Sequence, residues 1–158
     1  MRLFYSGRVR AGALVLFIAW AAASVISALR IPATSDAPLL AGAQIPPDVR
    51  ATIERSCRDC HSEATRYPWY SYVAPVSFLV QNDVTRGRRR MNLSKWSDYP
   101  LVRRERYLSE IANQVKDGGM PLPIYLVMHR DAKLSTADVD AVFAWTQAER
   151  MRLITSPR

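Results

Sequence analysis

From Ala11 to Leu29 the chain runs through 19 consecutive positions without a charged side chain (AGALVLFIAWAAASVISAL). At about 1.5 Å per residue, a helix of that length crosses most of a hydrocarbon core of roughly 30 Å. Arg2, Arg8 and Arg10 precede the run, a bias that predicts a cytoplasmic N-terminus and delivery of everything after Arg30 to the other side. A cleaved signal peptide is the competing reading, but its apolar region is normally about 7–15 residues and ends in a small-x-small site. Cleavage after Ala28 would place Ile26 where a small residue is preferred. An uncleaved anchor over residues 1–30 fits better.

Beyond it, residues 31–47 (IPATSDAPLLAGAQIPP) hold four prolines and no helical period, so residues 31–45 read as a linker. The domain, 46–158, then begins with a helix opened by Pro47, with Val49, Ile53 and Cys57 on one face. Tyr67 to Tyr72 form an aperiodic aromatic loop, which reads either as core filler or as a lining for a bound group. Pro75 opens an apolar helix predicted to reach Gly87. A polar stretch from Asn92 to Asp98 leads to a helix over 101–116, with Leu108, Ile111, Ala112 and Val115 as its buried stripe and Gly118-Gly119 as its stop. Ser135 or Thr136 caps a last helix whose stripe is Val139, Val142, Phe143 and Thr146, with Trp145 beside it. No segment alternates as a strand would, so the fold class is all-α: one helical domain behind a transmembrane helix.

The formal charge of +8 comes from 19 Arg and 3 Lys against 14 acidic residues. The densest basic run is Arg86, Arg88, Arg89 and Arg90, followed by Arg103, Arg104 and Arg106. Such a balance suggests nucleic acid, which an exported domain does not meet. The run is therefore a solvated helix face or a docking surface for anionic lipid or an acidic redox partner.

Both cysteines and one of the two histidines stand in Cys57-Arg58-Asp59-Cys60-His61. C-x-x-C-H is the c-type haem attachment signature. Two thiols one helical turn apart each add to a vinyl group on one haem edge, and the next histidine sits beneath the iron as proximal ligand. The spacing predicts one covalent haem c held by Cys57, Cys60 and His61. The competing readings are a thiol or disulfide pair and a Cys2His2 zinc site recruiting His129. A thioredoxin-type motif would need a βαβ pattern, and adjacent Cys60 and His61 strain a tetrahedral site.

The second axial position decides the function. Met120, in Gly118-Gly119-Met120-Pro121-Leu122-Pro123, has glycines that admit the backbone close to a porphyrin and prolines that stiffen the loop behind its sulfur. It is the leading distal ligand. His129 is the alternative, giving bis-histidine ligation, and Met91 and Met128 are weaker candidates. A closed site suits electron transfer. An open one suits a haem-based ligand sensor or peroxidase-like enzyme, with His129 or Arg130 as distal polar group. No acid–base constellation marks an enzyme.

The order of helix, C-x-x-C-H, intervening helices, G-x-M-P and final helix resembles the small single-haem c-type cytochromes. That resemblance implies an axial pair at His61 and Met120, with first and last helices packed together at the haem. More closely, Cys57-x-x-Cys60-His61-Ser62, Thr65-x-Tyr67-Pro68-Trp69-Tyr70, Ala74-Pro75-Val76-Ser77, Gly87-Arg88, Asn92-x-Ser94-x-Trp96 and Met120-Pro121-Leu122-x-x-Tyr125 resemble a bacterial haem-binding domain family over roughly residues 46 to 150. This implies an exported, membrane-anchored monohaem protein; electron transfer is the expectation that a Met120-closed iron site adds. Its expected place is the bacterial inner membrane, crossed once, with the haem domain in the periplasm and a redox protein as partner.

Overall fold

Leu108, Ala112 and Val115 recur at four- and three-residue spacing and are all buried, which is why the chain over Leu101–Lys116 lies as a helix against its neighbours. In the computed structural model, which describes residues 2–155, that helix is the fifth of seven: α1 (Arg2–Ala28), α2 (Pro47–Ser56), α3 (Arg58–His61), α4 (Val76–Arg90), α5 (Leu101–Lys116), α6 (Pro123–Met128) and α7 (Thr136–Thr155). Single 3-10 turns lie at Trp69–Tyr72, Leu93–Asp98 and Arg130–Ala132, and no strand occurs among the described residues. The all-helical expectation holds.

The chain separates into two compact units. Residues 1–33 and 66–85 form one, residues 34–65 and 86–158 the other. In the larger unit, α5 packs along α7 and α2 against α7. The α7 stripe is rotated from the predicted one: Val142, Trp145, Thr146, Glu149 and Leu153 are buried, and Phe143 is only half-buried, with Lys116 Nζ over its ring at 5.1 Å. Trp96, fully buried, packs edge-to-face with Tyr99 and tilted against Tyr107, and Tyr99 meets Tyr107 edge-to-face, in an aromatic cluster. The stretch 92–98, polar by composition, thus supplies core through Leu93 and Trp96.

The start of α7 is tied to α2. Ser135 Oγ accepts from Asp138 N–H, and Asp138 Oδ2 accepts from Ser135 N–H and Oγ, a capping box with Asp in the acidic position. Asp138 Oδ1 also accepts from Thr52 Oγ1 at 2.9 Å and pairs with Arg55 at 3.2 Å. These bonds hold its carboxyl well below the usual carboxylate range.

Within residues 31–45, the part from Leu39 onward is packed. Leu39 and Leu40 belong to the core of the larger unit, and Ala43 and Ile45 pack against it. Leu40 takes a left-handed backbone (φ 53), a conformation costly for a branched side chain. Its N–H bonds Leu93 C=O at 2.9 Å and its side chain is buried, so the tertiary context outweighs that cost. Gln44 C=O accepts from Trp145 Nε1 at 2.8 Å, and Gly42 C=O from Arg152. Proline content signalled irregular backbone correctly; it carried no information on burial.

In the smaller unit, α1 packs against the 3-10 turn at Trp69–Tyr72. Trp20 Nε1 donates to Ala74 C=O at 2.8 Å, Ala74 N–H to Ser24 Oγ at 3.1 Å, and Gln81 Nε2 to Ser27 C=O and Oγ.

Candidate functional site

The chain kinks at Cys57 (φ −122, ψ −31), which closes α2 and opens α3. As expected, the helix opened by Pro47 presents the motif at its end, with Cys57 as its C-cap. Cys60 and His61 follow on a separate single turn, bonded at its base by Cys57 N–H to Ile53 C=O and His61 N–H to Cys57 C=O. The turn is clamped on its far side. Ser62 Oγ donates to Arg58 C=O at 2.8 Å, Thr65 Oγ1 to Asp59 C=O at 2.6 Å, and Arg88 to Ser62 C=O and Thr65 Oγ1. Arg88 is thus a structural tie. Of the basic run, Arg86, Arg89 and Arg90 are exposed, and Arg90 pairs with Glu110 at 3.4 Å.

Gly87 sits inside α4 and does not end it. A β-carbon there would collide with the backbone carbonyl of Cys60. Glycine lets the α4 backbone approach α3 at the second cysteine, a close-approach use of the residue. Four residues on, Met91 supplies the carbonyl that meets His61 Nδ1 at 3.1 Å. A carbonyl can only accept, so Nδ1 carries the hydrogen and Nε2 keeps its lone pair for a metal. Burial lowers the His61 pKa, opposed by its hydrogen bonds to Met91 and Gly87 carbonyls, which favours the neutral ligating form.

A cleft of about 280 Å³ opens beside this turn, just below the roughly 300–1,000 Å³ of ligand sites. Ile53, Met91, Leu93, Ile111 and Val115 line it together with Cys57, His61 and Met120. Met120 is brought there by the end of α5: Gly118 takes a left-handed φ of 67, and the N–H groups of Gly119 and Met120 both bond Gln114 C=O. A first cysteine, an imidazole with a free nitrogen and a thioether share this mainly apolar cleft, whose lining also includes Arg90, Glu110, Asn113 and Gln114. Cys60 follows the same turn but is not among the cleft-lining residues.

The other sequence candidates lie elsewhere. His129 caps α6, a helix the sequence pattern did not reveal, and stacks on Tyr125 at 4.1 Å and 10°. Tyr125 in turn donates its hydroxyl to Asp59 at 2.9 Å, against burial that raises the Asp59 pKa. His129 does not line the cleft, so the bis-histidine arrangement is not assembled. Met128 is exposed, and Met91 contributes a wall and a carbonyl. In the aromatic loop from Tyr67 to Tyr72, Trp69 and Tyr72 are exposed, Tyr67 and Tyr70 half-buried and Ser71 buried, so the loop fills core only in part. Gly87 and Met91 were the functional positions the sequence concealed. Gly87 could have been found by asking why a helix continues into Arg88-Arg89-Arg90.

Burial, and secondarily Cys60, pushes the Cys57 thiol up to about 12. A thiol so placed stays protonated, unlike the activated thiol of a redox C-x-x-C motif. No disulfide joins Cys57 and Cys60, and among the described residues no three His, Cys, Asp or Glu side chains converge to hold a metal ion. The zinc set with His129 is therefore not formed.

A helical domain with an imidazole and a thioether on one mainly apolar cleft offers donors of the types that hold a haem iron. The chain belongs to the haem-binding domain family, whose model matches residues 17–148. It binds haem. The match begins inside α1, so the family's unit includes the second half of that helix. Comparison with curated proteins and with solved structures finds no match.

Proposed function

We propose that this protein is a membrane-anchored monohaem c-type cytochrome that carries electrons on the periplasmic side of the bacterial inner membrane. The observation that carries this reading is the placement of Cys57, His61 and Met120 on one mainly apolar cleft, with His61 Nδ1 committed to Met91 C=O.

In this reading Cys57 and Cys60 would hold the porphyrin through thioethers, and His61 Nε2 and Met120 sulfur would be the protein's ligands to its iron. The haem iron supplies a reversible one-electron couple. The chain's residues set its conditions. The Met91 carbonyl orients the imidazole and raises its basicity. Gly119 and Met120, anchored on Gln114, hold a weak thioether in place with little entropy left to lose. Ile53, Leu93, Ile111 and Val115 exclude water, which with the methionine favours a high potential. Exposed Arg86 and Arg89 offer a positive face to an acidic redox partner. The helix over Gly7–Ala28, with mean hydropathy 2.1 and mostly unburied, is the anchor.

The test is an absorption spectrum of the protein matured with c-type machinery, taken oxidised, reduced, and reduced with carbon monoxide. A far-red methionine-to-iron band with no carbon monoxide shift supports the carrier. A carbon monoxide shift without that band overturns Met120 ligation and favours a sensor or peroxidase-like role.

A further inference from the structure

The strongest feature outside the haem site is the segment of the smaller unit that contacts α1. From Tyr67 to Asn82 the chain has 16 residues without a formal charge, flanked by Arg66 and Asp83. Trp69, Tyr72, Val76, Phe78 and Leu79 are all exposed within it. Single exposed apolar residues are ordinary; five large ones within eleven positions, with no charge among them, mark a surface meant to be covered.

The hydrogen bonds to α1 give the depth of that surface. Trp20, which bonds Ala74, stands eight residues before the end of α1 at Ala28, or about 12 Å along the axis. If the membrane surface lay at Trp20, the uncharged helix remaining from Ala11 would be ten residues. That is about 15 Å, half a bilayer core. A span of sufficient length therefore takes Ala74 below the membrane surface with it.

The local chemistry suits that depth. In hydrocarbon every backbone polar group must find a partner, and irregular backbone survives only where protein supplies one. Ala74 N–H bonds Ser24 Oγ, its C=O accepts from Trp20 Nε1, and the next residue, Pro75, has no N–H. Gln81 spends its amide on Ser27. Ser27, Ser71, Ala74 and Ser77 are buried, the small residues by which elements pack closely inside a membrane. Trp and Tyr at the rim match the aromatic belt of the interface.

We propose that residues 67–82 enter the lipid leaflet at the Ala28 end of α1 and lie against that helix, with Trp69, Tyr72, Phe78 and Leu79 facing lipid. This rests on the reading of α1 as a membrane anchor. The occupant is lipid because α1 at the level of Trp20 lies in that same medium, out of reach of a partner arriving from water. The segment adds a second point of attachment and restrains the chain that leaves the membrane at Ala28.

The full-length holoprotein in phosphatidylcholine–phosphatidylglycerol liposomes tests this, with a trace phospholipid carrying a diazirine on its acyl chain. After irradiation, trypsin releases Ala11–Arg30, Tyr67–Arg86 and Tyr107–Lys116 as separate peptides. Lipid adducts on the first two and none on the third are expected. Adducts on Ala11–Arg30 alone overturn the inference while leaving the anchor intact. Adducts on Tyr67–Arg86 only from a headgroup-borne probe also overturn it, because the segment then lies on the surface. Absence of adducts from Ala11–Arg30 overturns the anchor and this inference together.

Discussion

Replacing Gly87 by alanine sets two effects of known size against each other. Within a helix, alanine is favoured over glycine by about 1 kcal/mol, so at an uncrowded position Gly87→Ala would stabilise α4. Here the added methyl meets the carbonyl oxygen of Cys60, with the Cys60 carbonyl carbon 2.9 Å and its Cβ 3.1 Å from the new atom. The obstacle is backbone, which cannot rotate aside, so α3 and α4 must separate. Overpacking of this kind costs about 1–3 kcal/mol, and a backbone collision belongs at the upper end. The net result is a loss of about 1–2 kcal/mol, or a fall in Tm of about 2–8 °C for a chain of this size. Thermal unfolding of detergent-solubilised holoprotein, followed by circular dichroism, reads it. The same displacement shifts His61 against Met91 C=O, so the Soret and axial-ligand bands should change with Tm. Because propensity alone predicts the opposite sign, a Tm equal to or above that of the parent, with an unchanged spectrum, would refute the close-approach role of Gly87.

Three further outcomes are expected. Met120→Ala should lower the reduction potential by on the order of 100 mV, within the roughly 0.8 V that axial ligands span, and open the iron to carbon monoxide in redox titration; an unchanged potential would make Met120 a wall residue only. Leu40→Ala should cost about 2–4 kcal/mol in denaturant unfolding, since Leu40 is core, whereas a free linker would show no change. Asp138→Asn should cost about 1 kcal/mol at neutral pH through the capping box. Because the folded pKa lies below the ordinary value, that contribution is complete above about pH 4 and is lost as pH falls further, so parent and variant should converge in acid unfolding. A gap that widens toward low pH would contradict it.

Periodicity revealed the elements whose burial is periodic. The span of α5 and the start of α2 matched because a buried stripe and a proline at the first turn are local signals. The last helix was recognised but its buried face was rotated, since Trp145 and Glu149 enter the core by pairing with Gln44 and Arg152, partners remote in sequence or polar in type. Leu39 and Leu40 were hidden among prolines because burial there is a tertiary fact. In the site, Cys57, His61 and Met120 were legible from motif and loop chemistry. The hydrogen bond to Met91 and the contact at Gly87 were not, because both use backbone atoms, which leave no side-chain signature. The aromatic loop is ambiguous for a related reason: its composition suits a haem edge, a core or a membrane interface equally well.

The central claim is that Cys57 and Cys60 bind one haem covalently. Intact-mass spectrometry of the matured protein, before and after acid–acetone extraction, tests it most directly. The account predicts the polypeptide plus one haem, unchanged by extraction, with retention reduced or abolished in Cys57→Ala and in Cys60→Ala. Haem that extracts completely from the parent protein, or that both variants retain as well as the parent does, would contradict it.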